Sequence, residues 1–323
     1  MRVMLAPMQG VTDHTMRALL TELGGIDRCV TEFIRIGGQL LPPRVFHRIC
    51  PELAEGGRTA SGVPVYVQLL GGQPGPMADN AARCAELGAA GIDLNFGCPA
   101  RTVNRSDGGA IILREPERVR AIVSAVRAAV DPATPVSVKI RLGFEDRSRF
   151  LDNVAAVAEA GAAELVIHAR TKRDGYRPPA YWEEIAVARD TVKLPIIANG
   201  EIWSPDQARR CRELSGCEDL MLGRGALCRP DLPRLIAGAA QGQAAPPLTW
   251  DDILPLLRRF LALNLARYDH HYVGNPLKQW LLYLRSYFPQ GAVLFEALKR
   301  LQDPAAIDAL LTCQPPLQPA AVA

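Results

Sequence analysis

A (β/α)8 barrel followed by a small all-helical domain is the architecture this sequence predicts, on three observations. Eight short apolar, β-branched runs recur along the chain, segments with apolar positions at helical spacing separate them, and polar residues or glycines follow each run. Strands alternating with helices pair in parallel through right-handed crossovers. Eight such units in about 230 residues is the size of a barrel.

In chain order the runs are Val3-Met4-Leu5, Cys29-Val30-Thr31, Val65-Tyr66-Val67, Ile92-Asp93-Leu94, Val136-Ser137-Val138, Leu165-Val166-Ile167, Ile196-Ile197-Ala198 and Leu220-Met221-Leu222. Between them, Pro76 to Leu87, Glu115 to Val130 and Arg149 to Ala160 read as helices, with Gly88 and Gly161 as stops. The first run leads into Pro7-Met8-Gln9, the second into Glu32 and Arg35, the third into Gln68, the fourth into Asn95 and Cys98. The fifth leads into Lys139 and Arg141, the sixth into His168 and Arg170, the seventh into Asn199-Gly200-Glu201, the eighth into Gly223-Arg224-Gly225. A barrel gathers all these ends at one rim, where barrel enzymes place their chemistry. Loops are polar for their own reasons, but that does not account for a Gln, an Asn, a Lys, a His and a Gly-Arg pair in register.

Two of these ends suggest a ligand. The loops after the seventh and eighth strands are the usual phosphate site of the fold. Gly200 and Gly223 let backbone N–H groups come close to phosphate oxygens, and Arg224 adds charge. Lys139 is expected to point into the same mouth. No Gly-x-Gly-x-x-Gly follows a strand, so a cofactor with one phosphate is implied rather than a tightly held dinucleotide. The stretch Asp93 to Leu113, DLNFGCPARTVNRSDGGAIIL, holds Cys98 between Gly97 and Pro99 in a bent, stiffened loop. Most free cysteines are small buried hydrophobes; its place at the rim argues for chemistry instead.

Composition narrows the class. A chain of 323 residues with 48% hydrophobic residues is long for one compact domain. A net charge of +3 lacks the global basic excess of a nucleic-acid binder, leaving room for a local patch. The eight cysteines are scattered, without a Cys-x-x-Cys pair, so a structural zinc is not expected. The start has too short an apolar run for a signal peptide, and no window approaches a membrane span. A reduced, cytoplasmic enzyme is the expectation.

The composition shift at AGAAQGQAAPP, residues 237–247, separates a barrel domain at 1–240 from a helical domain at 249–314. Thr249 and Asp252 form a capping box, opening a helix with Ile253, Leu256, Leu257, Phe260 and Leu261 on its apolar face. Further stripes run through Leu277, Trp280, Leu281 and Leu284, and through Val293, Leu294, Leu298 and Leu301. Asp303 caps a last helix with Pro304 in its first turn and Ile307, Leu310 and Leu311 buried. Residues 315–323 are expected to be a disordered tail. Arg258, Arg259, Arg267, His270, His271, Lys278 and Arg285 face only Asp269 locally, which suits either a phosphate-binding patch or a solvated helix face.

Taken together, APMQGVTD at 6–13, NFGCPARTV at 95–103 followed by GGAIIL, SVKIRLG at 137–143, HARTKRDGY at 168–176, ANGEI at 198–202 and GRGAL at 223–227 resemble the tRNA-dihydrouridine synthases. LLPPRVFHRICPEL at 40–53 and LKQWLLYLR at 277–285 resemble the subgroup acting on uridine 16. The resemblance implies FMN at the rim, NADPH as electron source and a helical domain that grips tRNA; no stable protein partner is expected beside it, and the chain is read as a monomer. It makes Cys98 the catalytic acid and assigns Pro7, Met8, Gln9, Gln68, Lys139, Asn199, Gly200, Glu201, Gly223 and Arg224 to FMN. His168 would lie near flavin and base, and Arg35, Asn95, Tyr176 and Lys278 would meet tRNA or uracil. One departure is Gly274-Asn275-Pro276, where another basic residue is expected.

The chemistry suits these residues. Saturating the C5=C6 bond of uracil needs a hydride, which no side chain donates, and a proton, which a thiol with a pKa of roughly 8.5 still carries at pH 7. Asn95 can hydrogen-bond the pyrimidine edge and a Lys139 cation can stabilise developing negative charge. The uridine must leave its stack, at a cost of a few kcal/mol that grip on folded tRNA offsets. The rivals are a flavin barrel reducing a small molecule of the dihydroorotate or enoate type, a non-catalytic RNA binder on the same scaffold, and a Schiff-base aldolase using Lys139.

Overall fold

The computed structural model describes residues 1–312. Its sheet comprises β1 (Val3–Leu5), β2 (Arg28–Val30), β3 (Ile34–Arg35), β4 (Val65–Leu70), β5 (Ile92–Phe96), β6 (Val136–Arg141), β7 (Glu164–His168), β8 (Ile196–Asn199) and β9 (Leu220–Leu222). The strand order is β2-β1-β9-β8-β7-β6-β5-β4-β3, and a further pairing of β2 with β4 closes the ring. Every pairing between these strands is parallel. The predicted (β/α)8 barrel is therefore the fold. All eight apolar runs fall on strands, Thr31 alone lying just past the end of β2, while β3, two residues paired with the end of β4 through Ile34–Leu69 and Arg35–Leu70, escapes the sequence pattern. Two residues are too few to show a period.

Alternation along the strands sorts the side chains into two layers. Ile92, Leu94 and Phe96 of β5 and Val136, Val138 and Ile140 of β6 join the large apolar cluster between sheet and helices. The lower interior is a small cluster of Met4, Ala6, Val30, Val166, Ile197 and Met221. On the intervening positions the residues become polar, Asp93 deeper in the ring and Gln68, Asn95, Lys139, His168 and Asn199 nearer the strand ends. The helices start and stop where local chemistry dictates. Asp13 accepts a hydrogen bond from the Met16 N–H at 2.9 Å and Ser204 from the Gln207 N–H at 3.1 Å, and Pro116 and Pro205 sit in first turns. Gly88 and Gly161 come just after the helices Pro74–Glu86 and Phe150–Glu159.

Beyond the barrel, helices Trp250–Leu265, Gly274–Leu284, Gln290–Leu298 and Pro304–Thr312 form a bundle. The predicted caps are present: Thr249 and Asp252 form the capping box, and the Asp303 carboxylate accepts from the N–H groups of Ala305 at 3.1 Å and Ala306 at 3.2 Å. Its apolar residues belong to the same cluster as the barrel's outer layer. Trp280 is the anchor. It is 1% exposed, donates Nε1–H to the Leu227 carbonyl at 3.0 Å, and meets Phe260 edge-on with centroids 5.3 Å apart. Ion pairs Arg267–Asp13 at 2.5 Å and Arg259–Glu22 at 2.6 Å tie the first bundle helix and its end to the first barrel helix. The expected tail at 315–323 lies outside the described residues. Among the described residues no helix is long and apolar enough to cross a membrane.

Removing the anchor should weaken barrel and bundle together: Trp280→Ala is expected to cost about 3–5 kcal/mol in urea unfolding, as for large aromatic truncations in cores. An unchanged denaturation midpoint would contradict this packing.

Candidate active site

The strand ends surround a cavity of about 530 Å³. Pro7, Met8 and Gln9 reach it from the loop after β1, Gln68 from β4, Asn95 and Cys98 from β5 and its loop, Lys139 from β6, and His168 from β7. Asn199, Gly200 and Glu201 after β8, Gly223 and Arg224 after β9, and the exposed Tyr176 complete the predicted set on its wall. Gly200 has φ +117°, and a Cβ there would lie 2.7 Å from His168 Cδ2, so only glycine lets the backbone run along this wall.

Several of the polar side chains are held by specific hydrogen bonds or ion pairs. Asn199 Nδ2 donates to the Met221 carbonyl at 2.7 Å, which turns its own carbonyl toward Lys139 Nζ at 2.9 Å. Burial, reinforced by the Arg141 cation and opposed by Asp93, pulls the Lys139 amine down to about 7. Burial and then the cations Arg141, Lys139, Arg170 and Arg224 hold His168 well below the ordinary imidazole value, so it is neutral at pH 7. Arg170 pairs with Glu201, whose other oxygen accepts from Trp203 Nε1 at 3.2 Å. Arg170 Nη1 remains buried without a partner. Arg224 lies 4.8 Å from the Tyr176 ring centroid and 5.0 Å from that of Trp203.

Cys98 is half-buried, unlike the six other described cysteines, which are buried. Its N–H and that of Gly97 both donate to Asn95 Oδ1 at 2.9 Å, and its carbonyl accepts from Asn104 Nδ2 at 3.0 Å. Arg141 braces the same loop, donating Nε–H to the Gly97 carbonyl at 2.8 Å and Nη1–H to the Gly175 carbonyl at 2.9 Å. Burial pushes the Cys98 thiol up, against the opposing pull of the Ala100 N–H, Arg141 and Arg35. The sulfur is therefore protonated at neutral pH.

Two predicted residues are not on the cavity wall. Arg35, exposed at the end of β3, has Nη1 3.4 Å from Ser106 Oγ on the segment after the Cys98 loop. Lys278 donates from Nζ to the Leu301 carbonyl at 2.6 Å within the bundle. Much of the predicted basic patch is compensated by acids distant in sequence, Arg258 by Asp308, Arg259 by Glu22 and Arg267 by Asp13. His270, His271 and Arg285 stay exposed. The departure at Gly274 has a packing reason, since a Cβ there would lie 2.6 Å from Ile307 Cδ1. Sequence reasoning did not assign site roles to Arg141, Arg170, Trp203 and Tyr283, which also line the cavity. Arg141 stands two positions after Lys139 on the same strand, a period-two signal that points to it; Tyr283 arrives from the bundle and has no local signal.

A family model described as dihydrouridine synthase matches residues 4–315. The chain is 52% identical to the tRNA-dihydrouridine(16) synthase of Pseudomonas putida over 323 residues, 100% of both chains. It is 50% identical to that of Shewanella oneidensis over 299 residues, 93% of each. Histamine dehydrogenase from Rhizobium sp. 4-9 superposes with a TM-score of 0.56 at 14% identity, over 81% of this chain and 49% of that one. The old yellow enzyme homologue of Zymomonas mobilis gives 0.50 at 14% identity, over 77% and 90%. At that identity the likeness is one of fold.

A Lys139 amine that loses its proton near pH 7 is nucleophilic where surface lysines, near 10.4, are not. With the cavity cleared of small molecules, acetic anhydride at roughly pH 7.5 should acylate Lys139 ahead of Lys172, Lys193 and Lys299 in peptide mass spectra. Equal labelling of all four would refute the depressed value.

Proposed function

The chain belongs to the dihydrouridine synthase family, and from that premise we propose that it reduces the C5=C6 bond of uridine 16 in the D-loop of tRNA, with FMN at the barrel rim and NADPH as reductant. The observation that carries this reading is Cys98: a protonated thiol on the wall of a cavity that also carries Gly200, Gly223 and Arg224, the residues expected to cradle a phosphate.

The residues suit FMN. Gly200, Gly223 and the Arg224 cation give a phosphate close backbone approach and charge, and the buried, unpartnered Arg170 Nη1 is a further donor at that end. Gln68, Lys139 and Asn199, with Pro7, Met8 and Gln9 on the same cavity wall, would hold the polar edge and the face of the ring. Bound and reduced, the flavin supplies the hydride that uracil C6 takes up.

The chain's own residues do the rest. Cys98 Sγ–H gives its proton to C5. The apolar, half-buried setting keeps that proton in place beforehand, and the Arg141 and Arg35 charges favour the thiolate left behind. Because the sulfur is not sealed, water can return a proton to it. Neutral His168 can donate or accept one hydrogen bond to base or cofactor without adding charge. Asn95 has one N–H not committed to Gln68 and can offer it to the pyrimidine edge.

In this reading residues 1–240 form the catalytic domain and 249–314 the tRNA-gripping domain, working as a monomer in the cytoplasm. Exposed Arg285, His270, His271 and Arg35 supply contacts to phosphates. Lys278 keeps two N–H donors beyond the one on Leu301 and can join them. Tyr176, exposed beside His168 with ring centroids 6.0 Å apart, is placed to stack on a flipped base.

The direct test is to incubate unmodified tRNA with the protein and NADPH and to map dihydrouridine; reduction of free uridine as fast as of tRNA would sink the proposal. Cys98→Ala should retain flavin and NADPH oxidation while product formation falls by about 10²-fold or more, the usual weight of a positioned acid. Arg35→Ala should weaken tRNA binding and reduce its salt dependence by about one phosphate contact, with flavin content unchanged.

A further inference from the structure

Asp93 lies beneath the site and does not line the cavity; it is 0% exposed. Its carboxylate accepts from Gln68 Nε2 at 2.7 Å and from Ser137 Oγ at 2.6 Å. Gln68 Oε1 accepts from Asn95 Nδ2 at 2.8 Å, and Asn95 Oδ1 accepts the N–H groups of Gly97 and Cys98. The four residues thus form an unbroken series from a sealed acid to the backbone of the thiol.

The direction of that series is fixed from both ends, by a carboxylate that can only accept and by the Gly97 and Cys98 N–H groups that can only donate. A terminal amide has nearly the same shape in either orientation, and its partners decide which end is oxygen. An ionised carboxylate can only accept. Gln68 must therefore turn its NH2 to Asp93 and its oxygen to Asn95; Asn95 must turn its NH2 to Gln68 and its oxygen to the loop. We infer that Asp93 is a positioning residue for Cys98, acting through Gln68 and Asn95 to hold the loop acceptor in place. A sealed carboxylate is costly to keep, and here both hydrogen bonds come from neutral groups. Burial raises it to about 6, so it is ionised at neutral pH and the order holds.

The role rests on the proposed reaction, but its test does not. Asp93→Leu removes the acceptor and leaves Gln68 Nε2 without a partner, freeing Gln68, and with it Asn95, to turn out of line, whereas Asp93→Asn has an oxygen to keep facing Gln68 and an NH2 to offer Ser137 Oγ. Iodoacetamide labelling of the Cys98 peptide, read by mass spectrometry, should accelerate by about tenfold in Asp93→Leu, the effect of one lost hydrogen bond. In turnover on tRNA, kcat/KM of that variant should fall by about tenfold or more, since Asn95 also meets the pyrimidine. Asp93→Asn should label within about twofold of the starting protein. Unchanged labelling in folded Asp93→Leu, or Asp93→Asn labelled as fast as Asp93→Leu, overturns the assignment. If Asp93→Leu does not fold, Gln68→Glu, which sets two acceptors face to face, is compared with the same change made together with Asp93→Asn, which can turn an NH2 to the new carboxylate; equal labelling in these two overturns it as well. A wild-type protein that makes no dihydrouridine, with labelling as expected, would refute the reaction and leave the positioning intact.

Discussion

The pairing of β2 with β4 is the constraint on which the rest of the molecule depends. It turns an open parallel sheet into a ring, and only a ring brings the ends of strands far apart in sequence to one mouth. With the ring closed, the two-residue alternation of each strand decides everything at the site. Lys139 and Arg141 face inward while Val138 and Ile140 go to the helices. A one-residue slip of β6 would exchange the two sets.

Closure also concentrates charge. Lys139, Arg141, Arg170 and Arg224 converge on one cavity, and Glu201, bound to Arg170, is the acid on the same wall. The consequence falls on their protons. Lys139 and Arg170 are both pulled down, to about 7 and about 10, first by burial and then by their cationic neighbours. A pocket with this imbalance is complementary to an anion, and a phosphate ester neutralises what the fold has assembled. The thiol feels the same field through Arg141, whose N–H groups hold the carbonyls of Gly97, Thr171 and Gly175, and through Arg35, but its burial outweighs them.

Most of the barrel and its rim could be read from the residues, because both follow from short-range periodicity. Each apolar run announced a strand, and the polar residue after it announced a rim position. Interactions that span the chain left no such trace. Arg267 looked like part of a free basic patch because its partner, Asp13, is far away in sequence, and Lys278 looked free because its partner is a backbone carbonyl. Tyr283 and Trp203 reach the cavity by packing, which no local pattern encodes. Asp93 sat in plain view in the most conspicuous stretch, yet its part depends on the amides of Gln68 and Asn95 meeting across neighbouring strands.

Tyr283 has a wider meaning. The mouth of the barrel borrows part of its wall from the bundle, and the loop that carries Pro7 to Gln9 runs on to Asp13, which Arg267 holds. Cup and handle are therefore one vessel. Exchanging the bundle for that of a relative would remodel the rim as well, so the wall of the cavity and the face of the bundle have to be inherited together.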